Sequence, residues 1–311
     1  MTIQILLLLA GLALIVFGAD ILVDGASAIA RKSGVSEFVI GLTIVGFGTS
    51  CPELVVSLTG ALQGNADISV GNVIGSNIFN TLLILGMTAV IAPVAVTRSN
   101  SRRDIPIALL VTFLFVAFAL TGNSITQVEG AVFLAIFVAY MIYCFKSDRP
   151  AQEEEAPQKV RSIWLAILLV LGGLAGLVFG GNLFVNNATA IARALGVSDK
   201  FIAITLLAGG TSLPELATCI VAAAKKKDQL ALGNVLGSNV FNILLILGTS
   251  AVVTPLSTLA INWVDLGVLT GSAAMVWLWT YTGHRDRVDR WEAILMLLTF
   301  FGYYTYLFMK L

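Results

Sequence analysis

Apolar and polar positions alternate along this chain in long blocks. Runs of about 20 apolar residues recur from end to end with short polar stretches between them, and such a run crosses a ~30 Å hydrocarbon core as a helix. We read ten spans, at about 3–28, 37–62, 69–92, 105–122, 125–146, 161–188, 199–224, 230–254, 262–281 and 288–309. A membrane β-barrel would need short segments of alternating polarity, and the sequence has none. The pattern predicts an all-α integral membrane protein with ten transmembrane helices. The first run lacks a basic leader and a small-residue cleavage site, so it reads as a span rather than a signal peptide. The longest connection, "KSDRPAQEEEAPQKVR" (146–161), holds two prolines and three consecutive Glu and reads as a solvated spacer.

Composition agrees: 58% of the 311 residues are apolar and 12% charged, too little polar surface for a soluble domain. The basic residues then set the orientation. With the N-terminus outside, the inward loops hold 15 of the 18 Lys and Arg, leaving Arg193, Lys200 and Lys310 outside. The positive-inside rule therefore places both termini outside. Cys51, Cys144 and Cys219 lack metal-ligand spacing and imply no disulfide framework. His284, the single histidine, lies in a basic loop. Zinc chemistry and a Ser-His-Asp triad have no residues to use, so the chain is not read as an enzyme.

The apolar pattern also repeats. "GNVIGSNIFNTLLILG" (71–86) and "GNVLGSNVFNILLILG" (233–248) are identical at 13 of 16 positions. An offset of 162 residues holds without a gap from about 18 to 88: Arg31 meets Arg193, Thr49 meets Thr211, Glu53 meets Glu215 and Asn80 meets Asn242. Five spans per half is an odd number, so the second half enters the membrane inverted. We read a first repeat over 1–146 with its motif at 41–86, a cytoplasmic linker over 147–160, and a second repeat over 161–311 with its motif at 203–248. Inverted repeats build many secondary transporters, with the site at the repeat interface near the midplane.

The polar residues concentrate in two pairs of spans. "GFGTSCPE" (46–53) and "AGGTSLPE" (208–215) place Glu53 and Glu215 mid-span. A charge at that depth costs roughly 2.5–3.5 kcal/mol on insertion scales. No Lys or Arg lies at comparable depth in any span, so the natural partner is a bound cation. Pro52 and Pro214 are expected to break the helix beside each Glu, and carbonyls freed there are tolerated only within protein or against a water-filled cavity. Ser76 and Asn80 stand i,i+4, as do Ser238 and Asn242, in position to add oxygen ligands. Asn72, Asn77, Asn234 and Asn239 read equally well as interhelical hydrogen bonders or as ligands. All these donors are oxygen, which suits Na⁺, Ca²⁺ or Mg²⁺ and suits zinc or copper poorly, and Mg²⁺ fits less well because it dehydrates reluctantly. Two ionised Glu are neutralised by one Ca²⁺ or by two Na⁺, which is the basis for exchanging one for the other.

"GTSCPE" with "GNVIGSNIFN", and "GTSLPE" with "GNVLGSNVFN", resemble the two alpha repeats of the sodium/calcium exchanger branch of the calcium:cation antiporter superfamily, of the prokaryotic type. The resemblance extends over the whole chain, including "GADILVDGA" (18–26). It implies a cell-membrane antiporter that moves Na⁺ against Ca²⁺ by alternating access, with no cofactor and no partner beyond the ions and the lipid bilayer. Nucleic-acid binding and a protein partner are not expected. Carried over, Glu53 and Glu215 would be central Ca²⁺ ligands, joined by Thr49, Thr211 and the Gly46 and Ala208 carbonyls. Ser50, Ser76, Ser212 and Ser238 would serve flanking Na⁺ sites, with Asn80 and Asn242 mid-site. Some relatives, notably the potassium-dependent ones, have Asp where this chain has Asn242, which argues against K⁺ cotransport here. A proton-coupled Ca²⁺ antiporter and a cation channel are the alternatives.

Spans 1 and 6 carry spaced glycines: Gly11, Gly18 and Gly25, and Gly172, Gly176 and Gly180. Such faces admit close helix packing, and we expect these spans to slide across the core of spans 2, 3, 7 and 8. Asp20, Asp24, Asn182 and Asn186 fall near the span ends, as interfacial residues or as an ion vestibule.

Overall fold

The computed structural model describes residues 1–64, 66–122, 124–147, 162–196, 208–259, 261–284 and 286–310. In chain order the helices are α1 (Thr2–Ser33), α2 (Glu37–Thr49), α3 (Cys51–Leu62), α4 (Asp67–Ile91), α5 (Asn100–Thr121), α6 (Gln127–Ser147), α7 (Ile163–Ala194), α8 (Leu213–Ala224), α9 (Asp228–Val253), α10 (Trp263–Trp279) and α11 (Arg290–Met309), with a single turn at Ala208–Gly210 before α8. Seven of these are long and apolar enough to cross a membrane, α2 and α3 form one further pair bent by 48°, and α8 and α10 are shorter apolar helices. The expected start of the seventh span, 199–207, lies outside the described residues. So does the expected linker, apart from Ser147.

Four two-residue strands depart from a purely helical expectation. Val94–Ala95 pairs antiparallel with Arg287–Val288, and Ser124–Ile125 with Leu256–Ser257. Each ribbon takes one strand from each half. The offset of 162 carries Val94 to Leu256 and Ile125 to Arg287, so the two ribbons are counterparts. They satisfy backbone groups where the chain leaves one helix for the next.

Burial sorts the helices. The most apolar window of α9 is 89% buried inside the protein and that of α4 67%, against 28% for α1 and α7. The two helices carrying the repeated Gly-Asn-Ser-Asn motif are therefore the centre, and α1 and α7 leave most of their surface exposed. A glycine explains how close the centre is packed. A Cβ on Gly237 in α9 would overlap the backbone of Leu42 in α2, so only a glycine lets α2 of the first half lie directly on α9 of the second.

The glycines of α1 and α7 face each other. A Cβ on Gly18 would lie 2.9 Å from the Gly173 carbonyl oxygen, and one on Gly180 would lie 2.9 Å from the Gly11 carbonyl oxygen. The contact corrects the expected register in α7. Gly173 sits in the seam with Gly176 and Gly180, whereas a Cβ on Gly172 would meet only the Ile21 side chain, at 3.8 Å. The glycine faces thus bind the two long helices into one unit instead of lying against the core.

Candidate functional site

Pro52 does more than kink a helix. The chain leaves helical geometry at Ser50 (φ −83°, ψ 5°), and Pro52 falls in the first turn of α3, where its missing N–H is harmless. Ser212 (φ −89°, ψ 6°) and Pro214 do the same ahead of α8. Each Glu consequently sits in the first turn of a new helix, where unpaired N–H groups and the helix dipole favour an anion. Thr49 ends the preceding helix, so the break expected at Pro52 falls between Thr49 and Glu53.

The two halves then exchange hydrogen bonds. Ser50 Oγ donates to Glu215 Oε1 at 3.1 Å, and Ser212 Oγ donates to Glu53 Oε1 at 3.1 Å. Both carboxylates are 1% exposed and close enough to repel each other. Thr49 and Ser238 flank Glu215, and Thr211 flanks Glu53. Among the described residues, no basic side chain pairs with either Glu. The Gly46 carbonyl oxygen accepts the Ser50 N–H at 3.1 Å and lies 3.4 and 3.5 Å from the Thr49 and Ser238 hydroxyls. Ala208 opens the turn before the second bend.

Each carboxylate keeps one oxygen without a partner. Glu53 Oε2 and Glu215 Oε2 are buried and accept no hydrogen bond, and Ser76 Oγ, Thr211 Oγ1, Asn80 Oδ1 and Asn242 Oδ1 are likewise buried without a partner. Buried polar oxygens are normally satisfied. Six such oxygens, two of them from carboxylates, have the chemistry of a hard-cation site. Ser76 also lines a cavity of about 470 Å³ with Pro52, Asn72, Thr211 and Pro214, walled on one side by Leu177, Asn182 and Asn186 of α7. Asn80 and Asn242 stand where α4 and α9 widen into π-helical turns, Phe79–Ile84 and Phe241–Leu247, a distortion common at functional sites.

The four asparagines left open by sequence make interhelical hydrogen bonds. Asn72 Nδ2 donates to Ser57 Oγ at 2.9 Å and to the Glu53 carbonyl oxygen at 3.2 Å. At the equivalent place Asn234 Nδ2 donates to Cys219 Sγ at 3.3 Å, while its Oδ1 accepts from Thr49 Oγ1 at 3.2 Å. These two fix the Glu-bearing helices to α4 and α9. Asn77 and Asn239 join the halves: Asn242 Nδ2 donates to Asn77 Oδ1 at 2.8 Å, Asn77 Nδ2 to the Asn239 carbonyl oxygen at 3.2 Å, and Asn239 Nδ2 to Thr81 Oγ1 at 2.8 Å. The repeat offset that pairs Asn72 with Asn234 was the available signal. Which atoms they would reach was not in it.

Comparison with known proteins shows the family. The sequence model described as "Sodium/calcium exchanger protein" matches residues 3–146 and 165–309. The chain belongs to that family. It is 39% identical to the putative antiporter CaxA of Alkalimonas amylolytica, over 99% of both chains. It is 32% identical to the sodium/calcium exchanger MaX1 of Methanosarcina acetivorans, again over 99% of both. Among solved structures, the sodium-calcium exchanger NCX_Mj soaked with Na⁺ and Sr²⁺ superposes with a TM-score of 0.85 at 34% identity, covering 96% of each chain. This exchanger-family chain is therefore a multi-pass membrane protein, all-helical among its described residues but for two short ribbons, of a fold that carries cation exchange.

Proposed function

We propose that this exchanger moves Na⁺ against Ca²⁺ across a cytoplasmic membrane by alternating access, at one site shared by its two halves. The observation that carries the reading is the crossed pair: Ser50 on Glu215 and Ser212 on Glu53, each carboxylate with its second oxygen buried and unpartnered. Two buried carboxylates without a basic partner need compensating charge. Glu53 and Glu215 are the central ligands, supported by Thr49, Thr211 and the Gly46 and Ala208 carbonyls. Ser50, Ser212, Ser76 and Ser238 serve Na⁺, and Asn80 and Asn242 contribute amide oxygens between the halves. One Ca²⁺ or two Na⁺ neutralise the pair, and binding both sets together would leave excess buried charge. That exclusion couples the two fluxes.

In this reading the chain has ten spans in two inverted halves, 1–146 and 161–311, with both termini outside. The cavity beside α7 is then the outward route to the site, and α1 with α7 is the moving element. The NCX_Mj structures were obtained with Na⁺, Ca²⁺ or Sr²⁺, ions of the class this oxygen set suits. The test is ⁴⁵Ca²⁺ uptake into Na⁺-loaded proteoliposomes diluted into Na⁺-free buffer. Uptake should require internal Na⁺ and fall to background in Glu53→Gln. Uptake driven by a pH gradient without Na⁺ would replace Na⁺ by H⁺ as the coupling ion, and gradient-independent flux would indicate a channel.

A further inference from the structure

Alternating access needs a gate on each side of the site, and the repeat lets the two gates be compared position by position. At the end of α8, Lys225 reaches across to α1. Its Nζ lies 2.8 Å from Asp20 Oδ1 and 2.7 Å from Asp24 Oδ1, and donates to the Asp20 carbonyl oxygen at 2.9 Å. Two residues on, Lys227 Nζ lies 3.0 Å from Glu37 Oε1 at the start of α2. Burial alone would lower the pKa of Lys225, and its hydrogen bonds to Asp20 and Asp24 outweigh that and raise it. Between the two lysines, Lys226 has φ 58°, a left-handed conformation uncommon for a residue with a Cβ. Its repeat counterpart is Gly64, at φ 77°. The turn is thus shared by both halves, and the second half keeps it with a lysine.

The offset of 162 carries these charged positions to the opposite gate. Asp20 becomes Asn182, Asp24 becomes Asn186, Lys225 becomes Gln63 and Lys227 becomes Asn65. Glu37 alone stays acidic, as Asp199, and the lysine that meets Glu37 has the neutral Asn65 as its counterpart. All three members of the Lys225 cluster are therefore neutral on the other side, with both aspartates replaced by their amides. Packing is unequal in the same sense. Val23, Thr218, Leu230 and Asn234 are buried on the charged side, whereas their counterparts Val185, Val56, Ile68 and Asn72 line the cavity.

We propose that Lys225, held by Asp20 and Asp24, is an ionic latch that keeps the gate on its own side shut and biases the cycle toward the conformation open on the other. The inference rests on the alternating-access reading above. For α1 to move off α8, Lys225 must part from both carboxylates, while Asn182, Asn186 and Gln63 carry no charge to separate. The three side chains are 28%, 49% and 39% exposed, so water and salt screen the pairs. A network of that kind shifts a two-state equilibrium by about tenfold, enough to bias the cycle and weak enough to break on each turnover.

The experiment uses the full chain in nanodiscs, with Cys51→Ala, Cys144→Ala and Cys219→Ser, the last copying Ser57 at the equivalent place. A single reporter, Val23→Cys, lies behind the latched gate, and Val185→Cys lies in the cavity. The rate of modification by a membrane-impermeant maleimide is measured for each. Lys225→Gln should speed labelling at position 23 about tenfold, and the charge-swapped pair Asp24→Lys with Lys225→Asp should restore most of the protection. An unchanged rate with Lys225→Gln overturns the latch. Fast labelling in the charge-swapped pair also overturns it, because it assigns the protection to packing alone. Slow labelling at position 185 in the parent protein would instead remove the open cavity, and with it the alternating-access reading on which the latch rests.

Discussion

Replacing Glu53 by Gln should raise stability without ions and abolish stabilisation by Ca²⁺. The sign follows from the site. Glu53 and Glu215 are adjacent and buried with no basic partner among the described residues, so without a cation they repel at low local dielectric. A Gln at position 53 removes one charge and keeps an amide oxygen to accept from Ser212 Oγ. The magnitude follows from what remains. Removing one partner of a buried ion pair costs about 3–5 kcal/mol, or roughly a 10²- to 4 × 10³-fold loss of Ca²⁺ affinity. At a Ca²⁺ concentration of about 100 times Kd, the parent gains about 2.7 kcal/mol of stability. With the affinity loss at the low end of that range, the variant gains about 0.4 kcal/mol at the same concentration. The assay is thermal unfolding of the purified protein in detergent, followed by tryptophan fluorescence, in chelator and then in Ca²⁺. The parent should show a clear Ca²⁺-dependent rise in Tm, and Glu53→Gln a higher Tm in chelator with almost no rise. A variant less stable than the parent in chelator, or one with a full Ca²⁺ shift, would refute the assignment of Glu53 as an uncompensated ligand.

Two further outcomes test the scaffold. Gly18→Val should separate α1 from α7, because even a single Cβ there approaches the Gly173 carbonyl oxygen at 2.9 Å. Overpacking of this kind costs about 1–3 kcal/mol, and a lowered Tm with slowed Ca²⁺ uptake is expected, with Gly172→Val much milder. In the turn before α11, hydrogen bonds from the His284 side chain and backbone hold the Asp289 pKa at about 2, below its ordinary 3.8. A depressed acid pKa contributes stability above the ordinary value that is lost as pH falls through the lower one. Fluorescence of the neighbouring Trp279–Trp291 pair should therefore show a transition between about pH 4 and 2 that is missing in Asp289→Asn.

Much of this protein is legible in one dimension, because a bilayer imposes simple rules on sequence. Apolar runs long enough to span, the offset of 162 residues and the isolation of Glu53 and Glu215 from any basic residue all follow from counting along the chain. Pro52 and Pro214 announce the two breaks, since a residue without an N–H cannot sit inside a regular helix. The hydroxyl and amide oxygens near the carboxylates were legible for the same reason, as polar residues at that depth need a use.

Partnership between residues far apart in sequence was not legible. That Ser50 turns to Glu215 and Ser212 to Glu53, rather than each to its own half, depends on how two helix breaks meet. No local pattern encodes that meeting. The same holds for Gly173 in place of Gly172 in the α1–α7 seam, because helix register is set by the partner's surface. Lys225 read simply as a basic loop residue, and Asp20 and Asp24 as interfacial residues or an ion vestibule. Folding brings the lysine onto both carboxylates across 205 and 201 residues of chain. The sequence by itself marked the candidate cation ligands and determined that the two halves carry copies of one motif. The tertiary structure decided which half supplies each partner and that Lys225 meets Asp20 and Asp24, because contact geometry is fixed only when both surfaces are folded.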